Sequence, residues 1–192
     1  KLKFITELVT PGLVFAEDGA KFANALSSVD FEDAEIVVST NPPEGREVTD
    51  FASLLATAPT DAVDKAAKRV TPDTIAKILF TSGSTGQPKG VINTQRMLCS
   101  NQVAMSQVWT FLNDRPPVTV DWLPWNHTFG GNHNLNMMLR NGGTMYVDAG
   151  KPAPGIIEQT IANLKEISPT LYYNVPRGYD MLLPYLESDA DL

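Results

Sequence analysis

Thr81-Ser82-Gly83-Ser84-Thr85-Gly86-Gln87-Pro88-Lys89-Gly90 is the stretch on which the reading of the fold turns. Its three glycines let backbone N–H groups turn inward without a Cβ in the way, its four Ser/Thr hydroxyls can donate to non-bridging oxygens, and Lys89 adds a full positive charge. Together these residues describe a cradle for a polyphosphate. A Gly/Ser surface linker has a similar composition. Against that reading, the stretch follows a β-type apolar run over 75–80 and sets a rigid Pro88 before its only charge. A Walker A loop fails on spacing, because there the lysine is followed by Ser/Thr and opens a helix whose N-terminus shares the phosphate. This chain has Pro88-Lys89-Gly90, then the β-prone Val91-Ile92, and only then Asn93 or Thr94 as an N-cap. The spacing predicts a loop joining strand to strand as a hairpin, with the helix starting later.

Outward from the loop, apolar runs of strand length alternate with helical patterns. This predicts an α/β fold, a mostly parallel sheet with crossover helices on its faces. Strands are expected over 13–16 and 35–39, a helix over 20–26, a turn at Asn41-Pro42-Pro43-Glu44-Gly45, and a short helix through Phe51, Leu54 and Leu55. The polar, Pro-punctuated segment 58–73 reads as a connector between a leading α/β segment, 1–57, and a second one, 74–192. Beyond the loop, Met97, Leu98, Asn101, Ala104, Met105, Val108 and Leu112 recur at helical spacing, which predicts one long helix with that face buried and a stop at Asn113-Asp114-Arg115-Pro116-Pro117. Strands over 118–123, 143–147 and 170–174 follow, with helices over 131–139 and 155–167 and a last one from Pro176 through Leu186.

The 192 residues carry a net charge of −7 with 43% apolar residues, enough for a core. Scattered Lys and Arg on an acidic chain give no support for nucleic-acid binding, and the sequence has no apolar run long enough for a membrane span. A single cysteine excludes an internal disulfide and reads as a cytoplasmic protein. A start at Lys1-Leu2-Lys3, without an initiator Met or a signal-peptide pattern, reads as a piece of a longer protein.

Ligands of open α/β sheets sit beyond the carboxyl ends of strands, and two informative stretches follow strands, the cradle and Leu123-Pro124-Trp125-Asn126-His127-Thr128-Phe129-Gly130-Gly131-Asn132. In the second, His127 lies between Trp125 and Phe129 and precedes a glycine pair where backbone can approach a ligand. It is a candidate for a pocket wall, or an imidazole hydrogen-bonded within an aromatic core. His133 paired with His127 lacks a carboxylate or cysteine at metal-ligand spacing. Cys99, Asp121, Asp148, Lys151 and Arg177 read respectively as an unactivated thiol, two turn caps and two surface cations.

The block Phe80 to Gly90 resembles the signature of adenylate-forming enzymes, the superfamily of acyl-CoA synthetases, luciferases and adenylation domains. Leu123 to Asn132 is similar to that superfamily's next motif. With Val91-Ile92-Asn93-Thr94-Gln95-Arg96-Met97, Val120-Asp121-Trp122 and Asn174-Val175-Pro176-Arg177-Gly178-Tyr179, the chain looks most like feruloyl-CoA synthetases. The resemblance implies a carboxylic acid, a hydroxycinnamate such as ferulate, as substrate, with ATP, Mg2+ and coenzyme A. It implies that Thr81, Ser82, Gly83, Ser84, Thr85, Gly86 and Lys89 hold ATP, with Thr85 also at the metal. Lys89 and His127 take the catalytic roles, and Trp125, Asn126, His127, Phe129 and Gly130 form the acyl pocket. The family's Tyr-Gly-x-Thr-Glu segment, ribose-binding Asp, hinge and C-terminal lysine are not found in this sequence. The expectation is therefore part of a large N-terminal domain, inactive alone and prone to self-association. A non-catalytic nucleotide- or acyl-binding module is the alternative.

Overall fold

The computed structural model describes residues 1–31, 33–81, 86–189 and 192. Two compact units divide the chain, Lys1–Val70 with Phe80–Lys89, and Thr71–Leu79 with Gly90–Leu192.

In the first unit, β1 (Leu13–Asp18), β2 (Glu35–Thr40) and β3 (Thr49–Asp50) form a parallel sheet in that order. Leu13 pairs with Glu35 and Asp18 with Thr40. Parallel neighbours need a crossover, which α2 (Ala23–Ser27) supplies. Leu26 of α2 meets Ala16, Ile36, Val38, Val29 and Phe31 in an aliphatic core. A helix not anticipated from the sequence precedes the sheet, α1 (Leu2–Val9); it ends at Thr10 in a left-handed conformation, before Pro11. The short α3 (Phe51–Leu55) follows β3. The polar stretch 58–73 contains α4 (Asp61–Ala67), capped by the Thr60 hydroxyl on the Ala62 N–H, with Asp61 and Asp64 in its first turn and every residue exposed.

β4 (Ile75–Thr81) and β5 (Lys89–Thr94) pair with each other. Then α5 (Gln95–Val108) begins on a Thr94 cap, whose Oγ1 accepts from the Met97 N–H at 3.3 Å. The long helical face departs from expectation. Gln102 and Met105 are buried, whereas Met97 is 56% and Val108 76% exposed. The helix also ends earlier than expected: α5 stops at Trp109 (φ −103°, ψ 71°), and a 3-10 turn, Thr110–Asn113, resets the phase beyond it, so that Leu112 enters the core from a different direction.

β6 (Val118–Asp121) and β7 (Thr144–Val147) pair in parallel, Val118 opposite Thr144 and Asp121 opposite Val147. Between them the predicted helix is present in two forms, a π-helical segment, Thr128–Leu135, running into α6 (Asn136–Asn141). The strand expected over 170–174 contracts to one parallel bridge, Thr119 to Leu171. The Val118 carbonyl there takes both the Thr170 and Leu171 N–H groups, and the Asn174 side chain takes the Val175 N–H. α7 (Ile157–Ile167) and α8 (Pro176–Ser188), with Pro176 in its first turn, pack through Ile157, Ile161 and Leu182. Met105, Leu112, Met137 and Met138 form the other core of this unit.

Candidate functional site

The cradle's flanks are placed by the β4–β5 pair. Thr81 closes β4 and Lys89 opens β5, both exposed, and α5 begins only at Gln95, so the loop joins strand to strand. Gly86 has φ +85°, a conformation that a side chain resists. Ser82, Gly83, Ser84 and Thr85 lie outside the described residues.

The second motif is a tight turn from β6 into the π-helical segment. Asp121, 3% exposed at the end of β6, holds both limbs: Oδ1 accepts from the Leu123 N–H at 2.9 Å, and Oδ2 accepts from Asn134 Nδ2 at 2.8 Å. Burial raises the carboxyl's pKa, opposed by those two hydrogen bonds, and the nearby Asp148 charge raises it further. Asp148 ends the neighbouring strand in the same manner, accepting from the Gly150 N–H, Thr160 Oγ1 and Asn163 Nδ2. Both carboxylates therefore cap turns.

His127 is exposed and caps the π-helical segment, its Nδ1 accepting from the Phe129 N–H at 3.2 Å. Because Nδ1 accepts, the neutral ring carries its proton on Nε2 and offers a donor to solvent at a helix N-terminus, where an anion is favoured. Trp125 and Asn126 are exposed beside it, and Phe129 is half-buried. The glycine pair has a packing reason. A Cβ on Gly130 would lie 2.5 Å from the Pro124 carbonyl oxygen, and one on Gly131 2.2 Å from that of Trp125, so these glycines let the π-helical segment press on its own turn. Lys77 Nζ lies beside the same place, 3.4 Å from where a Gly131 Cβ would sit.

The imidazole set among aromatic rings is His133, not His127. Trp109, Phe129 and Tyr173 stand edge-on to it, with centroids at 5.7, 5.5 and 5.0 Å. Its Nδ1 lies 2.7 Å from Asn134 Oδ1. His133 and Phe129 line a cavity of about 420 Å3 with Asn93, Met97, Asn101 and Asn132. The sequence reading weighed His133 only as a metal ligand and named Asn101 and Asn132 without assigning them to a pocket. Their helical spacing was visible, but the turn of π-helix that brings 132 and 133 beside α5 was not. Among the described residues, no group of three or more His, Cys, Asp or Glu is arranged to hold a metal ion. Cys99, Lys151 and Arg177 are exposed. No helix among the described residues is long and apolar enough to cross a membrane.

The model of one protein family, the AMP-binding enzymes, matches residues 1–192. This chain belongs to that family. Among AMP-binding relatives, it is 33% identical over 119 residues to the carboxylic acid reductase of Mycobacterium tuberculosis, a match covering 62% of this chain and 10% of that protein. Its fold is that of apo MatB from Rhodopseudomonas palustris, with a TM-score of 0.69 and 24% identity over 95% of this chain and 33% of that one. The anthranilate CoA ligase AuaEII, solved in complex with anthranoyl-AMP, is similar at a TM-score of 0.70 and 19% identity, over 94% of this chain and 34% of that one. The α/β architecture with parallel strands and crossover helices is thus the family's, and the chain spans about a third of these solved relatives.

Proposed function

We propose that this chain is part of an ATP-dependent, AMP-forming acid–CoA ligase, and that its acid is a hydroxycinnamate such as ferulate. The observation that carries the reading is the match of the whole chain to the AMP-binding family. The exposed Lys89 at the start of β5 and the outward Nε2–H of His127 support it.

In the proposed reaction, a carboxylate oxygen attacks the α-phosphorus of ATP. A P–O bond forms while the bond to the bridging oxygen of the β-phosphate breaks, and pyrophosphate leaves with that electron pair. The thiol of coenzyme A, losing its proton, then attacks the acyl carbonyl and AMP departs. No protein nucleophile is required, so the chain contributes charge and position. Lys89 and the residues Thr81, Ser82, Gly83, Ser84, Thr85 and Gly86 hold the polyphosphate. Thr85 is also the residue assigned to Mg2+, which neutralises phosphate charge when bound. His127 Nε2–H steadies the carboxylate. Trp125, Asn126, Phe129 and Gly130 border the acyl group, and the ring cluster about Phe129 suits an aryl acid.

Lys89→Ala in the full-length protein is expected to slow adenylation about a hundredfold or more, as loss of a transition-state charge partner does. Transfer to coenzyme A from preformed acyl-adenylate should change little. Equal losses in the two half-reactions would make Lys89 a structural residue, and absence of ferulate-dependent pyrophosphate release in the unmutated protein would overturn the reading as a whole. The 192-residue chain alone spans about a third of the solved relatives, and it is expected to form no CoA thioester. Sustained thioester formation by the purified chain would contradict that.

A further inference from the structure

The π-helical segment is held in register by side chains from outside it. Its eight residues, Thr128–Leu135, exceed the single turn in which π geometry commonly occurs. The Asn136 N–H bonds the Gly131 carbonyl, five residues back. An α-helix would give that N–H the Asn132 carbonyl, and there Gln102 Nε2 of α5 stands at 2.8 Å. Two more bonds fix the segment's own side chains, Asn132 Nδ2 to Asn93 Oδ1 and Asn134 Nδ2 to Asp121 Oδ2, each at 2.8 Å. The register is costly even so. Gln102 Oε1 and Asn132 Oδ1 are buried without a hydrogen-bond partner among the described residues, and an unpaired buried acceptor opposes the form that contains it. The fit at Gly130 and Gly131 also leaves no room for a Cβ.

At its C-terminal end the segment is fixed, since Asn134, Met137 and Met138 are buried. Restoring α-type bonds would therefore turn the residues before Asn134 by about 100°, the angle of one residue in an α-helix. Among them Thr128, Phe129, Asn132 and His133 wall the cavity that Asn93 and Met97 close from the other side. A ligand in that cavity thus meets a different wall in each register, and this difference is what lets it shift the balance between them.

We propose that residues 128–135 form a two-state switch: a π register clamped by Gln102, and an α register selected by the acyl ligand in this cavity. The α register lacks the Gln102 clamp, so it needs contacts that the protein alone does not supply. The ligand's identity rests on the acid-activating reading of the site; the clamp does not.

The test uses the full-length protein and a hydrolysis-resistant cinnamoyl-adenylate with a sulfamate in place of the phosphate. Crystal structures are compared for the unliganded protein, its complex with this mimic, and unliganded Gln102→Met, which keeps the side chain's bulk and removes the clamping donor. The Asn136 N–H is expected on the Gly131 carbonyl in the first and on the Asn132 carbonyl in the other two. Calorimetry should show Gln102→Met binding the mimic about tenfold more tightly, as when a competent form rises from about a tenth of the population to nearly all of it. Gln102 is not part of the cavity wall, so mere loss of packing would weaken binding or leave it unchanged. Should Gln102→Met fold poorly, the two structures of the unmutated protein decide. A π register in both the complex and the variant would overturn the switch, as would an α register in the unliganded protein or unimproved affinity in Gln102→Met. Acid-dependent pyrophosphate release with the register unchanged would overturn the switch and leave acid activation intact. A register change without pyrophosphate release would do the reverse, and if the mimic fails to bind, the register of Gln102→Met still decides the switch.

Discussion

The interiors of the two units are built from different material. Around β1 and β2 the core is Ala16, Leu26, Val29, Phe31, Ile36 and Val38, and Thr6 is that unit's only buried polar residue among those described. The interior of the second unit is threaded with Asn93, Gln102, Thr119, Asp121, Asn134, Asp148, Thr160 and Asn174, and one of its two hydrophobic clusters is built mainly of methionine. Thr119 Oγ1, Gln102 Oε1 and Asn132 Oδ1 have no hydrogen-bond partner among the described residues. Burial of polar groups opposes folding unless each is paired, so the second unit gives up stability for defined side-chain directions.

The largest expected effect that would sharpen this contrast comes from deleting a buried anchor. Asp121→Ala strands the Leu123 N–H and Asn134 Nδ2, two hydrogen bonds to a charged group, and should destabilise the protein by about 3 kcal/mol or more. Ile36→Ala in the aliphatic core should cost a similar amount, about 2–5 kcal/mol. The two differ in kind. Replacing Asp121 by Leu fills the space but strands the same two donors and should recover little of the stability, whereas Ile36→Val should come close to the unmutated protein. Denaturant unfolding measures this, and stability restored by Leu would erase the distinction.

A smaller effect has opposite signs in the two units. Hydrogen bonds from the Lys21 backbone N–H and then the Asn41 side chain hold the Asp18 carboxyl below its ordinary value of 3.8, whereas burial holds that of Asp121 above it. The depressed Asp18 contributes stability above the unfolded value, and this is lost as pH falls through its folded pKa. The raised Asp121 takes up its proton in the folded state first, so its penalty at neutral pH is relieved as pH falls through its folded value towards 3.8. Stability measured from neutral pH downward should thus lose its Asp121-dependent slope in Asp121→Asn and keep its acid arm; Asp18→Asn should do the converse. Unchanged slopes in both variants would remove the electrostatic part of the comparison.

The smallest effect lies on the surface of the second unit, where Arg96 Nε meets Asp73 Oδ1 at 3.1 Å with both side chains mostly exposed. Asp73→Asn should cost less than about 1 kcal/mol and nothing at high salt. A larger, salt-independent loss in thermal unfolding would show that polar anchoring in this unit extends to its surface.

Much of the architecture was legible in residues 13–40 and 118–147, because the alternation of short apolar runs with helical patterns that marks a parallel sheet with crossovers is local in sequence. The strand-to-strand reading of the 81–90 loop was legible too, since Pro88-Lys89-Gly90 cannot open a helix as a Walker lysine does, and family membership followed from the motifs on either side. What the chain alone could not reveal was phase. The break at Trp109, the π-helical turn at 128–135 and the contraction of the strand at Leu171 each depend on contacts between residues far apart in sequence. Position after a strand end and the second motif therefore named the residues available to the site, His127, Phe129 and their neighbours. Only the tertiary structure decided that Asp121 reaches Asn134, that Asn134 turns the proton of His133 inward, and that His127 faces out, because a hydrogen bond's direction is set by where its partner stands and not by the residue that makes it.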